Sequence, residues 1–428
     1  MSESVGRPPL GLTVSWPVLL RVLLAMSVGT GSIAFIEPSP YDVLLLVLLC
    51  AWFLGGFTVH PAVVPLAALI FTYNLGGFFA LIPFYGDTAP TTFMLQSIYL
   101  ATSCILLALF FAEDTLARLE IMLKAYVVSC AVAALGAIAG YFNIGGHADQ
   151  LTLYGRASSF FKDPNVLGTY LVLGALYTLQ LLMFGRTKRT VPTLMTLALI
   201  LFGIFLSFSR GSWGVLVGSA TLMVGFGLLG EGDPRQRRRV IRAMLVAVGI
   251  AVVGLVALLS IDNVRDMLGQ RVALVQDYDG GETGRFGNQL NAIPMLLDRV
   301  NGFGPVRFRL FFDEDSHSSY VGSFSSYGWL GGASFILLVG LTMVIGFRLV
   351  LKPSPFQRLA QVIFPCLFAV MLQAFQIDID HWRHFYLMLA AVWGLEAARA
   401  KWQRSRDRAF AATDKDCIGL ETKALPAT

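Results

Sequence analysis

Arginines and a histidine, the side chains that bind anions and take protons, crowd one polar stretch of this chain. Between residues 262 and 319 stand Arg265, Arg271, Arg285, Arg299, Arg307, Arg309 and His317. Guanidinium groups hold phosphate through two parallel hydrogen bonds. Fixed positive charge beside an imidazole disfavours its protonated form, which keeps the ring neutral and able to accept a proton near pH 7. Three shorter stretches extend the set. Ser207-Phe208-Ser209-Arg210-Gly211-Ser212 sets a lone arginine between two apolar runs, where a cation needs a partner or a function. The stretch from Gly155 to Asn165 carries Arg156 and Lys162, with Asp163 suited to cap a helix and Pro164 to fill its first turn. Asp378-Ile379-Asp380-His381-Trp382-Arg383-His384 has the residue types of a metal site, but the chain offers no further ligand set, so a solvated turn is expected. Each residue also has a plainer reading: an interfacial anchor for Arg210, solvated loop cations for Arg271 and Arg285, a structural interfacial histidine for His317.

The elements that must position these residues are membrane helices. Of the 428 residues, 56% are hydrophobic and only 14% charged, far below the balance of a soluble domain. A helix needs roughly 20 mainly apolar residues to cross the hydrocarbon, because its backbone must satisfy itself there. Candidate spans cover residues 18–36, 41–59, 62–84, 92–112, 121–142, 166–184, 191–208, 212–229, 243–261, 320–347, 359–377 and 385–400. The expected fold is therefore an all-α membrane protein of about twelve helices, one polytopic domain over residues 1–400. Its long loop, 262–319, precedes the tenth span, and a polar tail, expected to be irregular, covers 401–428. The first span reads as a retained anchor and not a cleaved signal. Cys50, Cys104, Cys130 and Cys366 fall inside spans and Cys417 in the tail, without disulfide or thiolate-metal spacing.

Charge predicts the orientation. Cations gather in alternate connections: Arg186, Lys188 and Arg189; Arg235, Arg237, Arg238, Arg239 and Arg242; Arg348, Lys352 and Arg358; then Arg399, Lys401, Arg404, Arg406 and Arg408. The positive-inside rule puts these and both termini in the cytoplasm. The connections at 143–165, 209–211, 262–319 and 378–384 then face outward, which brings Arg156, Lys162, Arg210, Arg271, Arg285 and His317 to one surface. No P-loop, dinucleotide fingerprint, zinc-protease or serine-hydrolase motif is present, which argues against an ATP-driven pump.

Four of these stretches, in this order, resemble the bacterial O-antigen ligases and the related O-antigen and exopolysaccharide polymerases. The ligase histidine motif is His, then Asn, Ser or Gln, nine variable residues, Gly, two more and Gly, Thr or Tyr. His317, Ser318, Gly328 and Gly331 fit it without a gap. Many members have Asn after the histidine where Ser318 stands, a variation the pattern permits. Residues 156–165 look like the family's arginine-to-DPN stretch, Ser209-Arg210-Gly211 like its SRG turn, and the run from Arg271 through Arg285 to Gly302 and Gly304 like its outward loop. The resemblance covers roughly residues 156–331 and implies a GT-C-like architecture in the bacterial inner membrane.

It also implies a chemistry: metal-independent, inverting transfer of a glycan from undecaprenyl pyrophosphate at the periplasmic face, with no cofactor and no nucleic-acid partner. His317 would be the general base, Arg210 and Arg285 would neutralise the leaving pyrophosphate, and Arg271, Arg156 and Lys162 would bind it. The acceptor would be another lipid-linked glycan in a polymerase, which the DPN stretch favours, or the lipid A core in a ligase. Polysaccharide export proteins would be further partners. A polysaccharide-lipid transporter or flippase is the competing class, but the chain lacks paired halves and its candidate residues avoid the membrane midplane.

Overall fold

The computed structural model describes residues 15–185, 187–230, 233–272 and 284–421. Arg186, the loop stretch 273–283, and the side chains of Arg271 and Cys417 lie outside the described residues. Helices succeed one another as α1 (Trp16–Gly29), α2 (Pro40–Leu54), α3 (Val64–Leu81), α4 (Thr88–Ala112), α5 (Thr115–Tyr141) and the single turn α6 (Ala148–Leu151). A small hairpin follows, β1 (Thr152–Leu153) and β2 (Arg156–Ala157). Beyond it come α7 (Pro164–Met183), α8 (Thr190–Leu206), α9 (Arg210–Leu229), α10 (Pro234–Leu259), α11 (Asp262–Val272), α12 (Arg285–Leu297), α13 (Ser319–Leu351), α14 (Gln357–Gln373) and α15 (Arg383–Glu421).

Each of the twelve apolar segments read from the sequence holds one of these helices. Among the described residues, seven helical stretches, those of α3, α4, α5, α7, α9, α10 and α13, are long and apolar enough to cross a membrane. Four shorter apolar helices, α1, α2, α8 and α14, pack among them. The chain is thus a mostly helical, multi-pass membrane protein. From Phe385 to Ala398 the first half of α15 is buried around its whole circumference, which makes it the central post of the bundle.

One expectation changes. The polar tail predicted to begin at residue 401 continues α15 without a break to Glu421. The reason is local: Glu396, Ala397, Ala398, Ala400 and Lys401 are good helix formers, and Glu396 pairs with Arg399 one turn on (2.8 Å) and with Arg348 of α13.

Two glycine contacts set α13 in place. Gly76 of α3 faces it so closely that a Cβ there would overlap the Tyr327 carbonyl and lie 2.6 Å from the Gly331 nitrogen. Gly328 breaks the helix with φ +65°, ψ −170°, and a Cβ would come within 2.6 Å of the Val300 carbonyl. That carbonyl accepts from Trp329 N (2.8 Å), while Ser325 O accepts from Phe303 N and Gly304 N (2.8 and 3.0 Å). The long loop is therefore stitched into the notch of α13. The loop also has a small core of its own, Ala292, Leu296, Phe303 and Phe308.

Candidate functional site

The site forms where separate connections meet at one end of the bundle. In the hairpin, Thr152 pairs with Ala157 and Leu153 with Arg156. Its turn residues Tyr154 and Gly155 have φ of 53° and 71°, the left-handed pair that a two-residue hairpin requires. Arg156 is buried beneath the turn. Its Nε donates to Ser207 O and its Nη2 to Asn165 Oδ1, both at 2.8 Å. One guanidinium thus holds the α8–α9 connection against the start of α7.

Helix caps fix the next pieces. Asp163 Oδ1 accepts from Asn165 N at 2.6 Å and Pro164 opens α7, as the sequence suggested. Ser209 Oγ accepts from Ser212 N at 3.3 Å and caps α9, so Arg210 is the first residue of that helix and not the middle of a turn. The helices crowd here: a Cβ on Gly211 would lie 2.6 Å from Gln373 Nε2 of α14. Thr169 Oγ1 of α7 donates to Gln373 Oε1 at 3.1 Å. Arg210 is therefore presented from a surface with little room to shift.

His317 is held by its neighbours. Gln289 of α12 donates to Ser316 O at 2.8 Å, and Ser318 Oγ caps α13 by accepting from Val321 N at 3.4 Å. Ser319 N donates to Ala374 O (2.9 Å), and its Oγ accepts from Ile379 N (2.6 Å), which straps the loop after α14 alongside. That strap brings up Asp378, whose Oδ1 accepts from Ser316 Oγ at 3.3 Å.

Together these pieces enclose a cavity of about 480 Å³. Arg156, Arg210, Arg285 and His317 all line it, with Tyr154, Asn165, Phe208, Gln373, Gln376, Asp378 and Trp382 among its other walls. Three lining residues, Tyr154, Phe208 and His317, adopt left-handed φ of 53°, 46° and 45° without being glycine. Such backbone costs about 1–3 kcal/mol per residue and persists where surrounding structure enforces it, often at functional sites.

The electrostatics suit an anion and a proton acceptor. Burial, and then the Arg285 guanidinium, hold the His317 imidazole below the ordinary histidine range; Asp315 and Glu314 oppose this, and Arg309 assists it. Glu314 Oε2 stands 3.9 Å from His317 Nε2. Asp378 is pushed up to about 7, by burial first and then by the charges of Asp380 and Asp315, against the hydrogen bonds from Ser316 and Ser318. Among the described residues the cavity therefore gathers three guanidinium groups, an imidazole held below the ordinary histidine range and a carboxyl pushed up to about 7.

Not every candidate residue is here. Lys162 turns to the surface and pairs with Glu37 at 2.6 Å, away from the cavity. The side chain of Arg271 lies outside the described residues. Of the cluster at 378–384, only Asp378 and Trp382 reach the cavity. His381 bonds Asp380 (3.1 Å) and the Phe93 carbonyl (3.2 Å), and Arg383 grips Asp42 of α2 through two bonds of 2.8 and 2.7 Å. Among the described residues no group of three His, Cys, Asp or Glu side chains is placed to hold a metal ion. The sequence reads Asp378 as part of a solvated turn; the strap from Ser319 and the bond to Ser316, 62 positions away, bring it to the site.

No family model and no curated protein matches the chain.

Proposed function

We propose that the protein is a membrane glycosyltransferase that moves a glycan from undecaprenyl pyrophosphate to an acceptor sugar at the periplasmic face of the bacterial inner membrane, as a surface-polysaccharide polymerase. One observation carries this reading: Arg156, Arg210, Arg285 and His317, from four separate stretches of sequence, line a single cavity. A pyrophosphate on a lipid is a polyanion at the bilayer surface, and preorganised guanidinium groups stabilise the charge that grows on it as it leaves.

In the reaction, His317 takes the proton of an acceptor hydroxyl as its oxygen attacks the anomeric carbon. The bond from that carbon to the pyrophosphate oxygen breaks, and both electrons leave with the lipid pyrophosphate. Arg210 and Arg285 receive that negative charge. Arg156, committed to Ser207 and Asn165, keeps Arg210 in position. Attack opposite the leaving group inverts the anomeric centre. A depressed imidazole pKa supports His317 as the base, because the ring is neutral at pH 7.

The test is glycan extension in vesicles loaded with a synthetic undecaprenyl-pyrophosphate oligosaccharide. His317→Ala should lower turnover about 10²- to 10⁴-fold, with the donor still bound and still present on the outer leaflet. Loss of donor from the outer leaflet would point to transport. If Asp378→Asn abolished turnover and H317A did not, the base would be Asp378. Supplying lipid A core in place of lipid-linked acceptor separates ligase from polymerase.

A further inference from the structure

We propose that α12 is an interfacial helix, seated with one apolar stripe among the lipid acyl chains at the cavity end of the bundle. The seating is independent of the reaction assigned above, and only the KM readout below rests on that reading.

Helix α12 has three faces. At 100° per residue, Phe286, Leu290, Ile293 and Leu297 fall in a stripe about 60° wide. Asn288, Ala292 and Leu296 form the protein-facing side and are buried. Asn291 and Asp298 make a polar side, so that the three faces are spaced by roughly 120°. Among the described residues nothing covers the stripe fully: its members are 45 to 68% exposed. Four large apolar side chains in water along one short helix would be an aggregation hazard in a soluble domain. In a membrane protein, a helix with one polar and one apolar exposed face lies along the boundary between headgroups and acyl chains.

Its surroundings select the bilayer as the occupant. Phe286 shares a groove of about 470 Å³ with Phe368 and Leu372 of α14 and with Gly214 and Gly218 of α9. Because α9 is long and apolar enough to span, that groove runs onto the flank which faces lipid. The other end of α12 is tied to α13, where Trp329 Nε1 donates to Leu296 O at 2.8 Å. Trp329, on a second helix long and apolar enough to span, is itself half exposed, and tryptophan is enriched at membrane interfaces. The two ends of α12 therefore abut two helices long and apolar enough to span. Arg285, the first residue of the helix, is set into the cavity by the same seating.

The full chain, with Cys50 and Cys417 replaced, can carry nitroxide labels on Leu290→Cys, Leu297→Cys, Asn291→Cys or Asp298→Cys. In vesicles of phosphatidylethanolamine and phosphatidylglycerol, relaxation by oxygen, which partitions into lipid, is compared with relaxation by a water-soluble nickel chelate. At positions 290 and 297 oxygen should dominate several-fold, with the ratio reversed at 291 and 298. Dominance of the nickel chelate at 290 and 297 would overturn the proposal. So would dipolar broadening between labels on two copies, which would make the stripe a dimer contact. A Leu290→Ser, Leu297→Ser variant offers a readout without labels: it should be extracted from vesicles no less folded, but with Arg285 misplaced and donor KM raised. An unchanged KM together with nickel dominance would dismiss the idea entirely.

Discussion

His317 and Arg285 form a coupled pair whose influence has a readable sign. A general base must be neutral, so rate falls on the acid side as the imidazole gains its proton. Burial and Arg285 lower that pKa, so the acid limb should lie below the usual histidine value of about 6.5. Arg285→Ala removes one of the two leading causes and should slow turnover by about 10²-fold or more. The surviving activity should show its acid limb moved to higher pH. A limb that stays put, or falls, would mean that Arg285 does not act on His317. The comparison belongs in a D378N background as well, since Asp378 titrates in the same cavity at about 7. Residue types and spacing made four of the cavity's members legible, because arginine and histidine are conspicuous in an apolar chain. Asp378 was not legible in that way, since its place depends on a strap between Ser319 and the loop after α14. Lys162 looked equivalent to Arg156 in sequence, yet one side chain faces Glu37 and the other lies buried under a hairpin.

At the level of elements, helices declare themselves by apolar length and by caps such as Asp163, which local chemistry identifies, whereas the cap at Ser209 appears only in the structure. Breaks inside helices are harder to read. Gly328 interrupts α13 to admit the chain at Val300, and nothing local distinguishes that glycine from Gly331. The long loop likewise concealed α11 and α12 among its charges. The contact between α3 and α13 offers a direct check on packing. Gly76→Val would place methyl groups where Tyr327 O and Gly331 N already lie, with no flexible side chain to yield. Overpacking of this kind costs about 1–3 kcal/mol. Thermal unfolding in detergent should show a clear fall in Tm, accompanied by weaker activity because His317 directly precedes the cap of α13. A variant as stable as the parent would mean that the helices part more easily than their backbone contact implies.

The whole molecule sorts its charges by end. α13 starts beside His317 and finishes at Leu351 near Arg348 and Lys352, while α14 returns from Arg358 to Gln373 at the cavity. The basic connections and the cavity thus occupy opposite ends of the same helices, whichever way the bundle is inserted. The positive-inside rule then makes a firm prediction. A cysteine at Tyr154, which is 80% exposed on the hairpin, should react with an impermeant maleimide in intact cells, and one at Lys352 only after the membrane is opened. Reaction of Lys352→Cys in intact cells, with Tyr154→Cys protected, would invert the molecule and remove the case for a periplasmic reaction.

The cavity's walls are drawn from stretches that run from Leu153 to Trp382. A ribosome must therefore insert nearly every helix before the last wall exists, and no shorter nascent chain has a pocket to offer. On the proposed reading, a premature stop anywhere upstream of Trp382 should therefore yield a product without glycan-transfer activity, because part of the cavity wall is missing.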